Sequence, residues 1–303
     1  MCIVNLIIPK NADVELLNYF WRRTKSKGDL SAYIMKYIFF ALLCFYCLGA
    51  AAQTTVKILS WNLKDFGRSK DGAEINFIAN TVKAYDLIAI QEVVAGISGS
   101  QAVARLVDAL NRSGGKWDYA VSEITSGSSL HKAERYAFIW EAKKVTKVGR
   151  PWLEQKYGLL IEREPYYGRF KIADRTFTLV NFHAIPKSRQ PETEIKYFKF
   201  LPESYPDDNL IFCGDFNVPA SHTVFNPLKK MGYTAMLKGQ KTSLRQQCIN
   251  GDCLASEFDN FYFNPSMIKL LNGGVIHFYR DFIDLKAARK LSDHIPVFVV
   301  YQL

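Results

Sequence analysis

The chain has 303 residues, of which 49% are hydrophobic and 22% are charged. This composition excludes a disordered chain and a fibre, and six cysteines are too few for a small fold built on disulfides. Lys and Arg exceed Asp and Glu by 39 to 29, and the net charge of +10 suits an acidic partner such as nucleic acid or a phosphate-rich surface.

The N-terminal region has the pattern of a secretory signal peptide. A basic Lys36 precedes an apolar run over residues 38–52 that ends in Gly-Ala-Ala-Ala. A basic start, an apolar stretch and an Ala-x-Ala end are typical of a segment that is cleaved on export. We therefore predict a signal peptide over residues 35–52 with cleavage after Ala52, and a secreted or periplasmic protein. Residues 1–34 are interpreted as an extra segment produced by a mis-assigned start.

Two alternatives remain for this apolar run. It is shorter than the ~20 residues that span a bilayer, yet it would serve as an uncleaved membrane anchor if no protease removed it. Cys44 follows Ala-Leu-Leu, a weak signal for lipidation. Removal of residues 1–52, which carry six basic and three acidic side chains, would lower the net charge to +7.

Residues 53–303 alternate strand and helix patterns and predict one α/β domain. Apolar runs predict strands over residues 56–61, 87–90, 119–121, 136–140, 168–172, 176–182, 210–214, 258–263 and 296–302. The pair 168–172 and 176–182 is expected to form a hairpin, and a Lys-rich hairpin is expected after residue 140. Helical spacing predicts helices over residues 74–83, 101–110, 192–201 and 221–231, the last with Ser221 as its N-cap.

The cysteines of this region predict one disulfide. Cys248 and Cys253 bracket an Asn-Gly turn signal, so their thiols can meet across a tight loop in an oxidising compartment. Cys213 lies inside an apolar strand, where we expect a buried free thiol.

Polar side chains stand at the ends of several apolar strands. Each placement alone has an ordinary structural explanation, such as a cap or a structural histidine. Together they are typical of an active site, because strand ends are where an open sheet presents ligands to a substrate. The residues are Asn62, Gln91, Glu92, His183, Asp215, Asn217, Asp293 and His294.

The residue types in this set are chemically coherent. Asn62, Glu92 and Asp293 offer the oxygen ligands that Mg²⁺, Mn²⁺ and Ca²⁺ prefer. His183 and His294, given carboxylate partners, can move protons to and from a phosphoryl oxygen near neutral pH. The sequence has neither a phosphate-binding Gly-rich loop ending in Gly-Lys-Ser/Thr nor a Gly-x-Ser-x-Gly turn, which disfavours nucleoside triphosphatases and serine esterases.

Four motifs in chain order resemble the endonuclease/exonuclease/phosphatase superfamily. They are Ser-Trp-Asn-Leu at 60–63, Ile-Gln-Glu-Val at 90–93, Gly-Asp-Phe-Asn at 214–217 and Ser-Asp-His-Ile-Pro-Val at 292–297. Further motifs are similar to its DNase I branch: Glu-Arg-Tyr from Glu134, Arg-Glu-Pro from Arg163, Phe-His-Ala-Ile-Pro around His183 and Phe-Asp-Asn around Asp259.

The resemblance implies a DNase I-like four-layer α/β sandwich, two packed mixed β-sheets flanked by helices, and metal-dependent phosphodiester hydrolysis. His183 and His294 would be the acid and base pair, oriented by Glu134 and Asp259 respectively. Other residues take roles by their position in the motifs: metal ligands Asn62, Glu92 and Asp293; water and phosphate positioning by Asp215 and Asn217; phosphate binding by Arg163 and Asn217. The implied cofactor is Mg²⁺ or Mn²⁺, with Ca²⁺ as a further candidate.

Three departures from the branch pattern bear on substrate binding. Val94 stands where the branch has a DNA-contacting arginine, and Lys132 replaces an aromatic residue. After the Gly-Asp-Phe-Asn motif, Val218-Pro219-Ala220 replaces a branch cysteine, so the disulfide of that cysteine is missing. Lys132 is predicted to contact phosphate, with an ordinary solvated lysine as the alternative.

We therefore expect a monomeric endonuclease that acts on DNA, chiefly double-stranded, without sequence specificity and without stable membrane association. Two alternatives stay open. One is another hydrolase of the superfamily, a sphingomyelinase or a phosphatase of small phosphoesters, and the other is a non-catalytic binding protein on the same fold.

Overall fold

The computed structural model describes residues 35–39, 54–127 and 133–303. Residues 35–39 are helical. The rest of the predicted signal peptide, residues 40–52, and the predicted extra segment 1–34 lie outside the described residues. Within the described ranges, every helix is too short or too polar to cross a bilayer.

Two six-stranded mixed sheets form the framework of the unit that begins at Gln53. Sheet I has the strand order β13-β14-β1-β2-β4-β3, and sheet II has the order β5-β6-β7-β8-β12-β9. Strands β10 and β11 pair separately. The strands are β1 (Thr55–Phe66), β2 (Leu87–Val94), β3 (Trp117–Val121), β4 (Glu134–Glu141), β5 (Thr146–Leu153), β6 (Tyr166–Ile172), β7 (Arg175–His183), β8 (Leu210–Asp215), β9 (Thr234–Ala235), β10 (Leu244–Ile249), β11 (Asp252–Leu254), β12 (Asp259–Phe263), β13 (Lys269–Val275) and β14 (Val297–Gln302).

Helices cover the outer face of each sheet, which completes the four layers that the resemblance implied. In β1, Ile58 packs between the two sheets, while Leu59 packs under the helices of sheet I. This strand is apolar on both faces because successive side chains point to opposite sides and both sides are covered. Helices α1 (Gly72–Val82), α2 (Ile97–Arg112) and α6 (Leu285–Leu291) cover sheet I, and α3 (Glu192–Ile195), α4 (Leu201–Ser204) and α5 (Asn226–Lys230) cover sheet II.

Parallel pairing brings strand ends together at one edge of the sandwich. Strands β1 and β2 run parallel, as do β7 and β8, where His183 pairs with Asp215. The antiparallel strands β4 and β12 begin where β2 and β8 end, with Glu134 opposite Val94 and Asp259 opposite Asp215. The edge that carries these residues is therefore built from both sheets.

The predicted helices over 74–83 and 101–110 are confirmed, with shifted bounds. Helix α1 begins early because the Asp71 side chain accepts the backbone N–H of Glu74, and the Glu74 carboxylate accepts that of Asp71. The predicted hairpin of β6 and β7 is also confirmed.

Three element predictions are wrong. The expected Lys-rich hairpin does not form, since β4 and β5 belong to different sheets. The expected helix 192–201 is broken into α3, a 3-10 turn at Phe198–Phe200 and α4, whose first turn holds Pro202. The expected helix 221–231 starts at Asn226, ahead of Pro227, and its N-cap is not Ser221.

The β10–β11 hairpin carries the cysteine pair. Asn250 and Gly251 have φ of 50° and 81°, the left-handed values that a tight Asn-Gly hairpin turn requires. The Sγ atoms of Cys248 and Cys253 lie 1.99 Å apart, a disulfide distance, and Cys213 is a buried free thiol.

We expect the Cys248→Ser/Cys253→Ser variant to lose up to about 2 kcal/mol of unfolding free energy, because the bond closes a short loop in the unfolded chain. Urea unfolding measures this loss, and reduction of the unsubstituted protein should reproduce it. Equal stability of the oxidised, reduced and substituted proteins would contradict a stabilising disulfide between Cys248 and Cys253.

Candidate active site

Polar side chains from six strands and loops meet at the shared edge of the two sheets. The parallel strands β1, β2, β7 and β8 end there, and the antiparallel strands β4 and β12 begin there. Most of the residues singled out in the sequence are buried at this edge: Asn62, Glu134, His183, Asp215, Asn217, Asp259 and His294. Glu92 is half-buried and lines a cavity of about 510 Å³ together with Glu134 and Arg163.

His183 is held by Glu134 from one side. Its Nδ1 lies 2.9 Å from Glu134 Oε1, and its backbone N–H donates to the hydroxyl of Tyr136 at 3.1 Å. Burial, with the nearby Arg163 charge, lowers the pKa of His183 to about 4. The neutral ring therefore directs Nδ1–H to Glu134 and leaves Nε2 free to accept a proton.

Burial raises the pKa of Glu134 to about 7, while Arg163 acts in the opposite direction through its charge and a 3.2 Å hydrogen bond from Nη1. Arg163 also donates from Nη2 to the carbonyl of Ala184, the residue after His183. The guanidinium thus fixes Glu134 and the chain next to His183 at the same time.

His294 is held by Asp259 in a matching pair. Its Nδ1 lies 2.7 Å from Asp259 Oδ2, which also accepts the Thr242 hydroxyl at 2.6 Å. Burial alone would lower the pKa of His294, but the carboxylates of Asp259 and Asp215 outweigh it and raise the pKa to about 10. His294 is therefore a cation at neutral pH and can donate a proton.

Asp215 joins the two histidines. Its Oδ2 lies 3.5 Å from His183 Nε2, 3.6 Å from His294 Nε2 and 3.2 Å from the amide nitrogen of Asn62. Its Oδ1 accepts the backbone N–H of Asn217 at 2.9 Å. Both imidazoles therefore present Nε2 to one point, with opposite protonation states.

The oxygen atoms of Asn62 and Glu92 fit a divalent cation. The amide nitrogen of Asn62 donates to Glu92 Oε1 at 3.0 Å, while Asn62 Oδ1 is buried and has no hydrogen-bond donor among the described residues. A buried carbonyl oxygen without a donor is costly unless another partner, such as a metal ion, satisfies it. Oxygen donors of this kind are those that Mg²⁺ and Mn²⁺ bind.

Asp293 stands at the margin of this set. Its Oδ2 accepts Arg289 Nη2 at 3.2 Å, and its charge reaches His294, where it contributes to the raised pKa. Asp215, Asp259 and His294 also present possible ligand atoms within 4.8 Å of one another. In that group, Asp259 and His294 are already hydrogen-bonded to each other through Nδ1.

The remaining predicted residues lie in different places. Asn217, with a left-handed φ of 54°, donates its amide N–H to the Ala184 carbonyl at 3.0 Å. Val94 lines the same cavity as Glu92. Lys132 lies outside the described residues.

Three positioning residues were not found from the sequence. Thr242 fixes Asp259 from a loop, and the Tyr136 hydroxyl joins His183 to the carbonyl of Arg163 at 3.2 Å. Glu194, in the first turn of α3, is buried. Its carboxylate accepts the backbone N–H of Glu162, which precedes Arg163, and the backbone N–H of Ile185, which follows Ala184. No local pattern marks Thr242, since its partner is distant in sequence.

Comparison with known proteins identifies the family. Residues 59–294 match the Endonuclease/Exonuclease/phosphatase family. The chain belongs to this family. A deoxyribonuclease of Thioalkalivibrio sp. (strain K90mix) is 24% identical over 284 residues, which cover 87% of this chain and 75% of that protein. Deoxyribonuclease-1-like 1 of Sus scrofa is 26% identical over 275 residues, which cover 85% of this chain and 84% of that protein.

Solved structures show the same family fold. An endonuclease/exonuclease/phosphatase family protein of Bacteroides thetaiotaomicron aligns with a TM-score of 0.61 at 17% identity, covering 82% of this chain and 98% of that one. A mannosyl-6-phosphatase of the same organism aligns with a TM-score of 0.60 at 17% identity, covering 82% and 100%. The deoxyribonuclease relatives support the DNase I-like branch of the family.

Proposed function

We propose that this protein is a secreted, divalent-metal-dependent endonuclease that hydrolyses DNA phosphodiester bonds with little sequence specificity. One observation carries the proposal: His183 and His294, each held by a carboxylate through Nδ1, direct Nε2 to the same oxygen of Asp215. Their surroundings lower the pKa of His183 and raise the pKa of His294. Two titratable groups whose surroundings push their pKa values apart are suited to act as base and acid in one reaction. The deoxyribonuclease names of the relatives favour DNA as the substrate.

In this reaction water attacks phosphorus in line with the leaving oxygen. His183 Nε2 takes the proton of the attacking water, and His294 Nε2 gives its proton to the leaving oxygen as the phosphorus–oxygen bond breaks. Asp215 and Asn217 position the water and the scissile phosphate. Arg163 stabilises the negative charge that develops on the phosphate.

A Mg²⁺ or Mn²⁺ ion, when bound, polarises the phosphoryl oxygen and offsets its negative charge. Asn62 and Glu92 would hold it, with Asp293 as a further carboxylate ligand at the margin of the site. The buried Oδ1 of Asn62, which has no donor among the described residues, supports this assignment.

Export is the second part of the proposal. We infer that residues 35–52 are removed as a signal peptide and that residues 53–303 act as a monomer in a secreted or periplasmic setting, without stable membrane association. The basic start, apolar run and Ala-x-Ala end support it. N-terminal sequencing of exported protein should begin at Gln53.

The test of the activity is plasmid nicking. The purified protein should convert supercoiled plasmid to nicked circles with Mg²⁺ or Mn²⁺. EDTA should abolish nicking, because it removes the ion that offsets the negative charge of the phosphate. Excess Mg²⁺ added after EDTA should restore it. Nicking that persists in EDTA would contradict metal dependence.

The same experiment separates the alternatives. Sphingomyelin and a sugar phosphate are assayed beside the plasmid, because this fold also serves a mannosyl-6-phosphatase. Intact plasmid with rapid turnover of either compound would replace the nuclease with another hydrolase of the family. Turnover of none of the three would favour a non-catalytic binding protein.

A further inference from the structure

A second cavity lies beside the active site, between the carboxyl end of β1, the β10–β11 hairpin and α6. Its volume is about 880 Å³. We call it the basic cavity, because five basic side chains line it against two carboxylates. The basic residues are Lys64, Lys70, Lys286, Arg289 and Lys290, and the acidic ones are Asp65 and Asp284.

The basic cavity adjoins the active site through two contacts. Asp65 lines both cavities, and its backbone N–H donates to Glu92 Oε2 at 3.2 Å. On the other wall, Arg289 reaches Asp293 at 3.2 Å. The two cavities therefore adjoin at Asp65, next to Glu92.

Much of the positive charge in the basic cavity is not compensated. Lys286 and Lys290 are exposed one helical turn apart on α6, and neither forms an ion pair within the described part of the chain. Asp284 caps α6 by accepting the Ala287 N–H at 2.7 Å, and it forms no ion pair with a basic side chain among the described residues. Arg289, by contrast, is committed to Asp293 and to backbone carbonyls.

Lys70 adds a charge beneath the surface. Its side chain is 1% exposed, and Nζ donates to the carbonyl of Lys290 at 2.7 Å. Burial lowers the pKa of Lys70, while the charges of Glu74 and Asp65 act in the opposite direction, and neither carboxylate lies within 4.0 Å of Nζ. A buried charge is screened less than an exposed one, so Lys70 raises the positive potential of the cavity wall.

We propose that the basic cavity binds backbone phosphate of the DNA strand that flanks the scissile bond. This inference rests on the proposed nuclease function and identifies the surface that binds the DNA strand next to the active site. The wall offers lysines and no aromatic side chain on which a base would stack. Lysine contacts to phosphate fix the register of DNA without reading its sequence.

The test compares two double variants with the same change in charge. Lys286→Gln/Lys290→Gln removes the exposed lysines of the basic cavity. Lys116→Gln/Lys143→Gln removes two exposed lysines at the far end of β4 and serves as the control. Binding to a fluorescent DNA duplex is measured by anisotropy in EDTA, over a range of salt concentrations.

The slope of log affinity against log salt should fall by up to about 2 in the cavity variant, because each lost phosphate contact removes about 0.9. Affinity near ~0.1 M salt should fall about tenfold or more. The ratio of plasmid nicking to hydrolysis of bis(p-nitrophenyl) phosphate should fall about tenfold, whereas the control variant keeps the ratio of the unsubstituted protein.

Equal slopes and equal activity ratios in the two double variants would overturn the phosphate site. That outcome differs from failure of the nuclease proposal, in which the unsubstituted protein nicks no plasmid while it hydrolyses another phosphoester. The exposed positions of all four lysines keep the fold intact, and thermal unfolding of each variant checks this.

Discussion

Replacement of either His183 or His294 by alanine should slow plasmid nicking by about 10²–10⁴-fold, since a positioned proton donor or acceptor contributes that much. The two side chains face one oxygen of Asp215 at 3.5 and 3.6 Å, one as acceptor and one as donor. In the proposed mechanism each acts on the same reacting phosphate. The double variant should lose less than the product of the two single losses, because residues that act as a unit are not additive.

The measurement is the initial rate of nicking at saturating Mg²⁺. His222→Ala is the matched control, because His222 is half-buried and only caps a short turn by accepting the Val224 N–H at 3.2 Å. It should retain full activity. A variant at 183 or 294 with the rate of the control would remove that histidine from the mechanism, provided its thermal unfolding shows a folded protein.

The carboxylate partners should have smaller effects. Glu134→Gln and Asp259→Asn keep an oxygen that can accept Nδ1–H, so the rings stay oriented while the charge is lost. Loss of the Asp259 charge should lower the pKa of His294, since that carboxylate is the leading cause that raises it. The basic limb of the pH–rate profile should then move to lower pH in Asp259→Asn if His294 is the proton donor.

Much of this site could be predicted from the sequence because the polar residues interrupt apolar strands. Asn62, His183 and Asp215 each follow a run of residues that are buried on both faces, and such a run identifies the strand and its end. The motif around each residue then places it in a family pattern. Which of these strand ends lie together, however, depends on the order of the strands in the sheets, and no local sequence pattern encodes that order.

The elements that escaped prediction have weak local signals. Strand β13 contains Asn272 and two glycines, and it is stabilised by pairing with β14 at the edge of sheet I. Helix α6 is a short, basic segment that buries only Ala288 and Leu291. Its role in the basic cavity depends on β1 and the β10–β11 hairpin, which are distant in sequence.

Predictions fail for a different reason where tertiary contacts override helical spacing. The spacing of residues 192–201 is helical, yet the Glu194 carboxylate accepts two backbone N–H groups from other segments. One belongs to Glu162, next to Arg163, and the other to Ile185, two residues after His183. Pro202 and Pro227 then limit where the α-helical turns begin. The hydrogen bonds of this buried carboxylate and the positions of the prolines thus decide the local structure there.

Gly214→Ala should destabilise the protein by about 4 kcal/mol or more, which is the range of substitutions that force a backbone rearrangement. Gly214 has φ of +130°, a conformation that residues with a side chain rarely adopt. A Cβ at this position would overlap the carbonyl oxygen of Phe182 on the parallel strand β7. Since that oxygen belongs to the backbone, β7 and β8 would have to separate.

The next residues along these two strands are His183 and Asp215, so the same separation should abolish nicking. Thermal unfolding should show a Tm lowered by roughly 10 °C, since about 1 kcal/mol moves Tm by 2–4 °C in a domain of this size. Gly72→Ala is the control, because a Cβ at the start of α1 meets no atom within 4 Å. It should change stability by less than about 1 kcal/mol and keep full activity. Equal melting of the two variants would show that the approach of β7 to β8 does not require glycine, and that the histidine–aspartate spacing is set elsewhere.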